Sequence, residues 1–359
     1  MRVALITRST LYAQPGGDTI QVCQTAAALT QIGIDASICL TGSAIDYSKY
    51  DLLHFFNLTR PADILLHARR SRKPYVVTPI LVEYSAYDAV HRNGMAGKLF
   101  RYLDPDTIEY AKTMARWLAG RDVLASKSFL WKGQRRSIVT ILKHCKMVLP
   151  NSLLEYRQLC KKYRVSPPCQ VVPNGVDTGL FRPTTPVARD KKLVLCVGRI
   201  EGIKNQSMLI RALSNTPYHL ILIGSAAKNQ QSYHAYCRKI AGNNVTFIDH
   251  LPQEQLVPFY QRAKIHVQPS WFETCGLSSL EAAASGCNLV LSDTGYVREY
   301  YENFPVYCNP ADPAHILDCV EKASASPFPQ PLMEKIITKY TWSHAAKETA
   351  AAYERALNT

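Results

Sequence analysis

Residues 264–293 read KIHVQPSWFETCGLSSLEAAASGCNLVLSD. KIHVQP is a short run of strand character, SWFETCG a loop, LSSLEAAAS a helical segment closed by Gly286, and NLVLSD a second apolar run. A strand leading through a helix into another apolar strand is a βαβ unit, since parallel strands need a crossover of helical length. The rhythm recurs upstream: VALIT, DLLHFF, YVVTPI and MVLP, then LVLCVG, HLILIG and NVTFI, separated by longer segments of helical spacing. Strands so uniformly apolar predict parallel sheets covered on both faces.

The pattern begins twice. VALITRS runs into a Gly-rich turn and a helix, and LVLCVGRIEGIKNQ repeats the arrangement, with the Pro- and Gly-containing stretch QVVPNGVDTGLFRP between them as a hinge. A chain of 359 residues accommodates two such domains. The expected fold is α/β with two Rossmann-like domains, an N-terminal one over residues 1–168 and a C-terminal one over 169–342. An amphipathic helix over 343–359, with Ser343 as its N-cap, follows. Ligands of open parallel sheets bind beyond the carboxyl ends of the strands, so the two sheets should face each other across a ligand cleft.

Composition narrows the function classes. No apolar run approaches the roughly 18 residues that cross a bilayer, and Arg8 arrives too early for a signal-peptide core. Eleven scattered cysteines without a C-x-x-C pair point to a reducing cytoplasm, with neither disulfides nor a zinc site. The net charge of +14 calls for an anionic partner. It is concentrated in residues 1–170, where 24 Lys and Arg face 12 Asp and Glu. Within them, residues 91–146 carry twelve basic and four acidic residues among Phe100, Tyr102, Trp117, Phe129 and Trp131. That mixture suits an anionic bilayer surface, and equally an ordinary solvated helical face.

Two segments carry chemistry. After the strand KIHVQP, Glu273 falls in a loop, Gly276 and Leu277 open a helix, and Glu281 follows in its first turns. Free amides and the dipole at that helix N-terminus favour a phosphate, while carboxylates accept bonds from sugar hydroxyls. In VGRIEGIKNQ, Arg199 and Lys204 follow a strand and can neutralise a diphosphate as its bond to a sugar breaks. The alternative is a capping Glu, a solvated Glu and two surface cations with no ligand.

VVPNGVDTGLFRP, VGRIEGIKN and FETCGLSSLEAAASG, in that order, resemble the second-domain motifs of the family 4 glycosyltransferases, which have the GT-B fold. PGGDTIQ, at residues 15–21, is similar to the family's first Gly-rich loop. YTWSHAAKETAAAYERA resembles the segment whose helix returns to the first domain. The resemblance implies a retaining, metal-independent transfer of a sugar from a UDP- or GDP-sugar to a hydroxyl of a glycan acceptor, lipid-linked, in surface polysaccharide or glycoconjugate synthesis. It implies no cofactor, the nucleotide-sugar being a co-substrate, and no side-chain nucleophile, since the leaving phosphate takes the acceptor proton.

By position, Arg199 and Lys204 would bind the donor diphosphate, Glu273 the hydroxyls of the transferred sugar and Glu281 the ribose. The segment Cys275, Gly276, Leu277 and Ser278 would bind sugar or phosphate, and Gly16, Gly17 and Gly224 would line the donor site. Asp18, Glu83 and Tyr84 are the acceptor-side candidates, Asp88 being an alternative to Glu83 and Tyr84, with His91 and His54 as substitutes. One departure is that the second glycine expected after HLILIG is Ala226. Asp104-Pro105-Asp106 spells the D-x-D metal pattern of a different glycosyltransferase fold, but a Pro between two Asp more simply starts a helix.

The rival readings are a GT-B sugar phosphorylase or sugar-nucleotide epimerase, a nucleic-acid-binding protein using the basic half, and a nicotinamide-dependent oxidoreductase. The second leaves Glu273, Glu281, Arg199 and Lys204 unexplained, and so no nucleic-acid partner is expected. The third lacks a G-x-G-x-x-G after any strand.

Overall fold

The computed structural model describes residues 1–82, 104–118, 126, 128–183 and 189–358. Glu83, Tyr84, Asp88 and His91 lie outside the described residues. The chain forms two compact units. Met1–Leu81, Asp88–Pro173 and Trp342–Thr359 make the first, and Val82–Tyr87 with Asn174–Thr341 the second.

The first unit is built on five parallel strands: β1 (Arg2–Thr7), β2 (Asp35–Leu40), β3 (Leu52–Phe56), β4 (Tyr75–Thr78) and β5 (Met147–Val148), in the order β2-β1-β3-β4-β5. Ala4, Ile6, Leu53, Phe55 and Val77 pack on Ile138, Ile141 and Leu142 of the helix Ser128–His144. The final helix, Trp342–Asn358, packs on helix Gly17–Gln31. It begins one residue before the expected cap, so Ser343 lies in its first turn, because Thr341 is still held in a parallel bridge with Val176.

His54 of β3 is 1% exposed; its Nδ1 meets the Tyr353 hydroxyl at 2.7 Å and its Nε2 the Thr78 hydroxyl at 2.8 Å. Burial pushes its pKa down to about 3, so the ring is neutral. His54 therefore ties the final helix to the sheet and is no substitute acceptor residue. Asp104-Pro105-Asp106 starts the helix Pro105–Leu118. The Asp106 carboxylate is buried and lies 3.1 Å from Lys162 Nζ and 3.2 Å from the Tyr163 hydroxyl. Among the described residues no cluster suited to a metal ion occurs, and no helix is long and apolar enough to cross a membrane.

The second unit contains β6 (Asp190–Val197), β7 (His219–Ile223), β8 (Val245–Ile248), β9 (Ala263–Gln268), β10 (Asn288–Ser292) and β11 (Val306–Cys308), all parallel, in the order β11-β10-β9-β6-β7-β8. Its sheet is buried on both faces. Leu193, Leu195 and Val197 join one core cluster with Ile221, Ile223, Leu289 and Leu291. Val194 and Cys196 join another with Leu220, Leu222, Ile265, Val267 and Val290. Covered faces explain the continuous apolar runs. The first and fourth strands of this unit, β6 and β9, lie side by side, and the chain leaves them in opposite directions across the sheet. Such a switch point opens a crevice at the carboxyl ends of the strands.

Replacing Tyr353 by Phe should cost about 1–3 kcal/mol, the penalty of a buried polar atom that loses its partner. Urea denaturation compared with wild type measures it, and an unchanged midpoint would remove His54–Tyr353 as a tie of the first unit.

Candidate active site

Arg199 and Lys204 follow β6, and Ser270 and Glu273 follow β9, so all four belong to the switch point of the second unit. Lys204 ends a short 3-10 turn, Gly202–Lys204, just before the helix Gln206–Leu213 rather than within it. Its Nζ lies 2.7 Å and 3.0 Å from the two Glu273 carboxylate oxygens. The two side chains are 22% and 12% exposed. Burial works against the ammonium charge, yet Glu273, with Glu201 further off, lifts the Lys204 pKa above the ordinary lysine value.

Glu273 is oriented from behind. Gln268 Nε2 donates to Ser270 Oγ at 2.8 Å, and Ser270 Oγ donates to Glu273 at 3.0 Å. Its backbone is fixed as well: the Tyr296 N–H donates to the Glu273 carbonyl at 2.9 Å, and the Trp271 N–H donates to Ile203 O at 2.8 Å, stitching the two loops together.

Arg199 is held by its backbone. The Ile200 N–H donates to Ser225 O at 3.1 Å, and Gln206 Nε2 donates to Arg199 O at 2.8 Å. Its guanidinium is 47% exposed, 3.1 Å from Glu201, and near enough to Lys204 to act on it electrostatically. Gly224 makes this loop possible. Its φ is +147°, and a Cβ there would stand 2.1 Å from Gly198 O. Ala226, where the family has a second glycine, bridges to Ile200 and extends that contact.

Gly276 caps the helix Leu277–Ala284 in a left-handed conformation, and a Cβ on it would lie 3.3 Å from Glu273 Cγ, so Glu273 sits against this helix start. The Tyr301 hydroxyl donates to the carbonyls of Cys275 at 2.8 Å and Gly276 at 3.1 Å. Leu277 leans on the core and Ser278 is half-buried. The Cys275 side chain, at 1% exposure, faces the core and accepts from Asn174 Nδ2 at 3.3 Å, so only its backbone borders the site.

Glu281 stands apart from the other three. Its oxygens accept from Gln253 Nε2 at 2.7 Å and from the Tyr260 hydroxyl at 3.0 Å, both on the helix Gln253–Arg262. Burial pushes its pKa up to about 7 against the pull of those two bonds. The four charged groups thus form one tight ion pair, one neighbouring guanidinium and one separately housed carboxylate.

The remaining candidates belong to the first unit. Gly16 is the N-cap of helix Gly17–Gln31 with φ −157°, an extended backbone open to any residue. Asp18 is paired with Arg8 at 2.6 Å and 3.0 Å, and Arg8 also reaches Thr10 O and Gln14 O, so this pair shapes the Gly-rich loop. The supporting residues Gln268, Ser270, Gly295, Tyr301, Gln253 and Tyr260 escaped the sequence analysis. One signal was present: KIHVQP alternates apolar with polar, unlike its neighbours, and places His266 and Gln268 on one buried face.

Residues 178–340 match the family described as glycosyl transferases group 1. The D-inositol 3-phosphate glycosyltransferase of Corynebacterium aurimucosum is 26% identical over 343 residues, an alignment spanning 82% of this chain and 80% of that protein. Among solved structures, sucrose-phosphate synthase from Thermosynechococcus elongatus superposes with a TM-score of 0.74 at 16% identity, over 99% of each chain. Anabaena HepE, crystallised with UDP and glucose, gives a TM-score of 0.66 at 16% identity, over 99% of this chain and 95% of its own. Two Rossmann-like halves with these neighbours define the GT-B fold. The match to group 1 glycosyltransferases thus falls on residues 178–340, and the similarity to the corynebacterial protein extends it across most of the chain.

Gly295, at φ +69°, would carry a Cβ only 2.0 Å from Glu273 O. Gly295→Ala should therefore lower stability by at least about 2 kcal/mol, through backbone strain and displacement of the Glu273 loop. A thermal melt indistinguishable from wild type would show that this loop is not fixed as described.

Proposed function

We propose that this chain moves a glycosyl group from a UDP- or GDP-sugar to a hydroxyl of a glycan acceptor, with retention and without a metal ion. The observation that carries the reading is the Lys204–Glu273 pair beside Arg199 at the switch point of the second unit. Lys204 and Arg199 face the donor diphosphate, the amides of Gly276, Leu277 and Ser278 add the partial positive charge of a helix start, and Glu273 accepts bonds from the sugar hydroxyls. Glu281 accepts the ribose. As the bond from the anomeric carbon to the phosphate oxygen breaks, negative charge grows on that oxygen, where the two cations are worth most. The acceptor hydroxyl attaches from the same side and its proton passes to the departing phosphate, so no side chain need act as nucleophile. The UDP and glucose crystallised with HepE support a donor of this class.

Glu273→Ala and Lys204→Ala should each lower turnover by roughly 10²–10³, the loss typical of removing one group that stabilises transition-state charge, with far-UV circular dichroism retained. Release of nucleoside diphosphate from a panel of sugar nucleotides, with water as acceptor, measures this without a known acceptor. Wild-type rates in either variant would refute the assigned roles.

The acceptor in this reading is carried on an anionic lipid diphosphate in surface polysaccharide or glycoconjugate synthesis, and the enzyme works at the cytoplasmic face of the membrane. Trp131 and Leu118 are 83% and 76% exposed, and Lys112, Arg136 and Lys143 stand exposed on the same two helices. Aromatic and apolar tips with cations around them fit a phosphate-rich surface. The corynebacterial relative, a D-inositol 3-phosphate glycosyltransferase, points instead to a soluble polyol phosphate, the other anionic acceptor that a basic first unit suits. Purified protein should sediment with phosphatidylglycerol vesicles at low salt, be released by high salt, and ignore phosphatidylcholine vesicles. No sedimentation at low salt would decide against the lipid carrier.

A further inference from the structure

Glu281 is 5% exposed, and its two carboxylate oxygens are bound from one neighbouring helix by two different kinds of donor. Tyr260 is fully buried. Its ring lies edge-on to Phe181 at 5.7 Å, and its carbonyl accepts from Arg189 at 2.7 Å, so its hydroxyl has nowhere to go. Gln253 is the first residue of the same helix, half-buried, where the chain arrives from the carboxyl end of β8. One oxygen is thus held from inside the core and the other from the rim. An ionised carboxylate has about four lone-pair sites, so Tyr260 can keep its bond while another donor arrives.

We propose that Tyr260 and Gln253 are positioning residues for Glu281: the Tyr260 hydroxyl holds the carboxylate oriented for binding, and the Gln253 amide occupies the place that a ribose hydroxyl takes when the donor nucleotide enters. This rests on the reading of Glu281 as the ribose-binding group. Hydroxyl donors bond more strongly to the carboxylate than to the protonated acid, so whatever stabilises the carboxylate favours the nucleotide. Burial raises the Glu281 pKa, and the bonds from Gln253 and Tyr260 lower it. Among the described residues, Tyr260 is the one titratable group hydrogen-bonded to it, and Cys287, Cys196 and His266 lie around Tyr260. Gln253 is neutral.

Nucleotide affinity therefore falls as pH drops through the Glu281 pKa, near neutrality, because the protonated acid has lost acceptor capacity. Tyr260→Phe removes a bond to the charged form, raises that pKa and moves the affinity midpoint to higher pH. A merely structural tyrosine would weaken binding equally at every pH, or not at all.

The experiment is calorimetric titration with UDP-glucose and with GDP-mannose between pH 5.5 and 9, since neither diphosphate diester gains a proton in that range. For the nucleotide that wild type binds, Tyr260→Phe should be roughly tenfold weaker at pH 7, the loss of one hydrogen bond to a charged group, and close to wild type at pH 9. Glu281→Gln should flatten the pH dependence, and Tyr260→Phe in that background should add nothing. Gln253→Ala should bind at least as tightly as wild type at pH 9, where no internal bond has to be broken first. A Tyr260→Phe curve parallel to wild type, or a Gln253→Ala variant weakened at pH 9, overturns the inference while leaving the donor reading intact. A wild type that binds neither nucleotide overturns the donor reading, and the inference with it.

Discussion

Burial disfavours the ammonium form of Lys204 and the Glu273 carboxylate more than offsets that cost, and much of the second unit is arranged to hold the carboxylate there. Lys204 comes from the loop after β6 and Glu273 from the loop after β9, 69 residues apart in the chain. They meet because the strand order makes β6 and β9 neighbours. The contact is then fixed by groups that never reach solvent: Gln268 and Ser270 behind the carboxylate, the Tyr296 amide on the Glu273 carbonyl, and Tyr301 on the two peptides that follow. Without a ligand the two charges neutralise each other, so neither stands desolvated and alone.

The same logic governs the backbone. Gly198 and Gly224 approach so closely that no side chain fits on Gly224, and Gly295 passes Glu273 under the same restriction. These contacts join loops from neighbouring strands at the carboxyl edge of the sheet, where an open parallel fold leaves its strand ends unfilled. A glycine bearing on the site is therefore a packing constraint between loops. Gly16 has no such constraint, since its extended backbone is available to any residue.

Most strands were legible because a sheet covered on both faces demands unbroken apolar runs. β6, with alternate residues in two different cores, is the clearest case. The two strands missed, DASICL and VYC, are edge strands, partly exposed and, for β11, only three residues long, so neither carries that signature. The charged loop residues that the fold brings together, Arg199, Lys204 and Glu273, were legible because they stand directly after predicted strands. What positions them was not. Tyr260 and Tyr301 are fully buried aromatics, indistinguishable in a sequence from core filler, and their hydroxyl partners lie 21 and 25 or 26 residues away. Cys275 misled for the opposite reason: it stands within the motif but turns its side chain inward to Asn174.

Net charge and anion recognition separate in this molecule. Residues 1–170 hold an excess of 24 − 12 = 12 positive charges, while the remainder, with 42 − 24 = 18 basic and 28 − 12 = 16 acidic residues, is nearly balanced. Yet the groups suited to a diphosphate lie in the balanced half. Two cations held at a strand edge beside a helix start act at contact distance, where a low local dielectric multiplies their effect. A diffuse excess of surface lysines and arginines acts over a Debye length and is screened by salt. The two halves are therefore suited to different tasks: short-range recognition of a small, chemically defined anion in the second, and long-range attraction to an extended anionic surface or a charged acceptor in the first. Sugar transfer from a nucleotide donor, as proposed above, asks for the former, and under that proposal the basic first half is left to meet the acceptor.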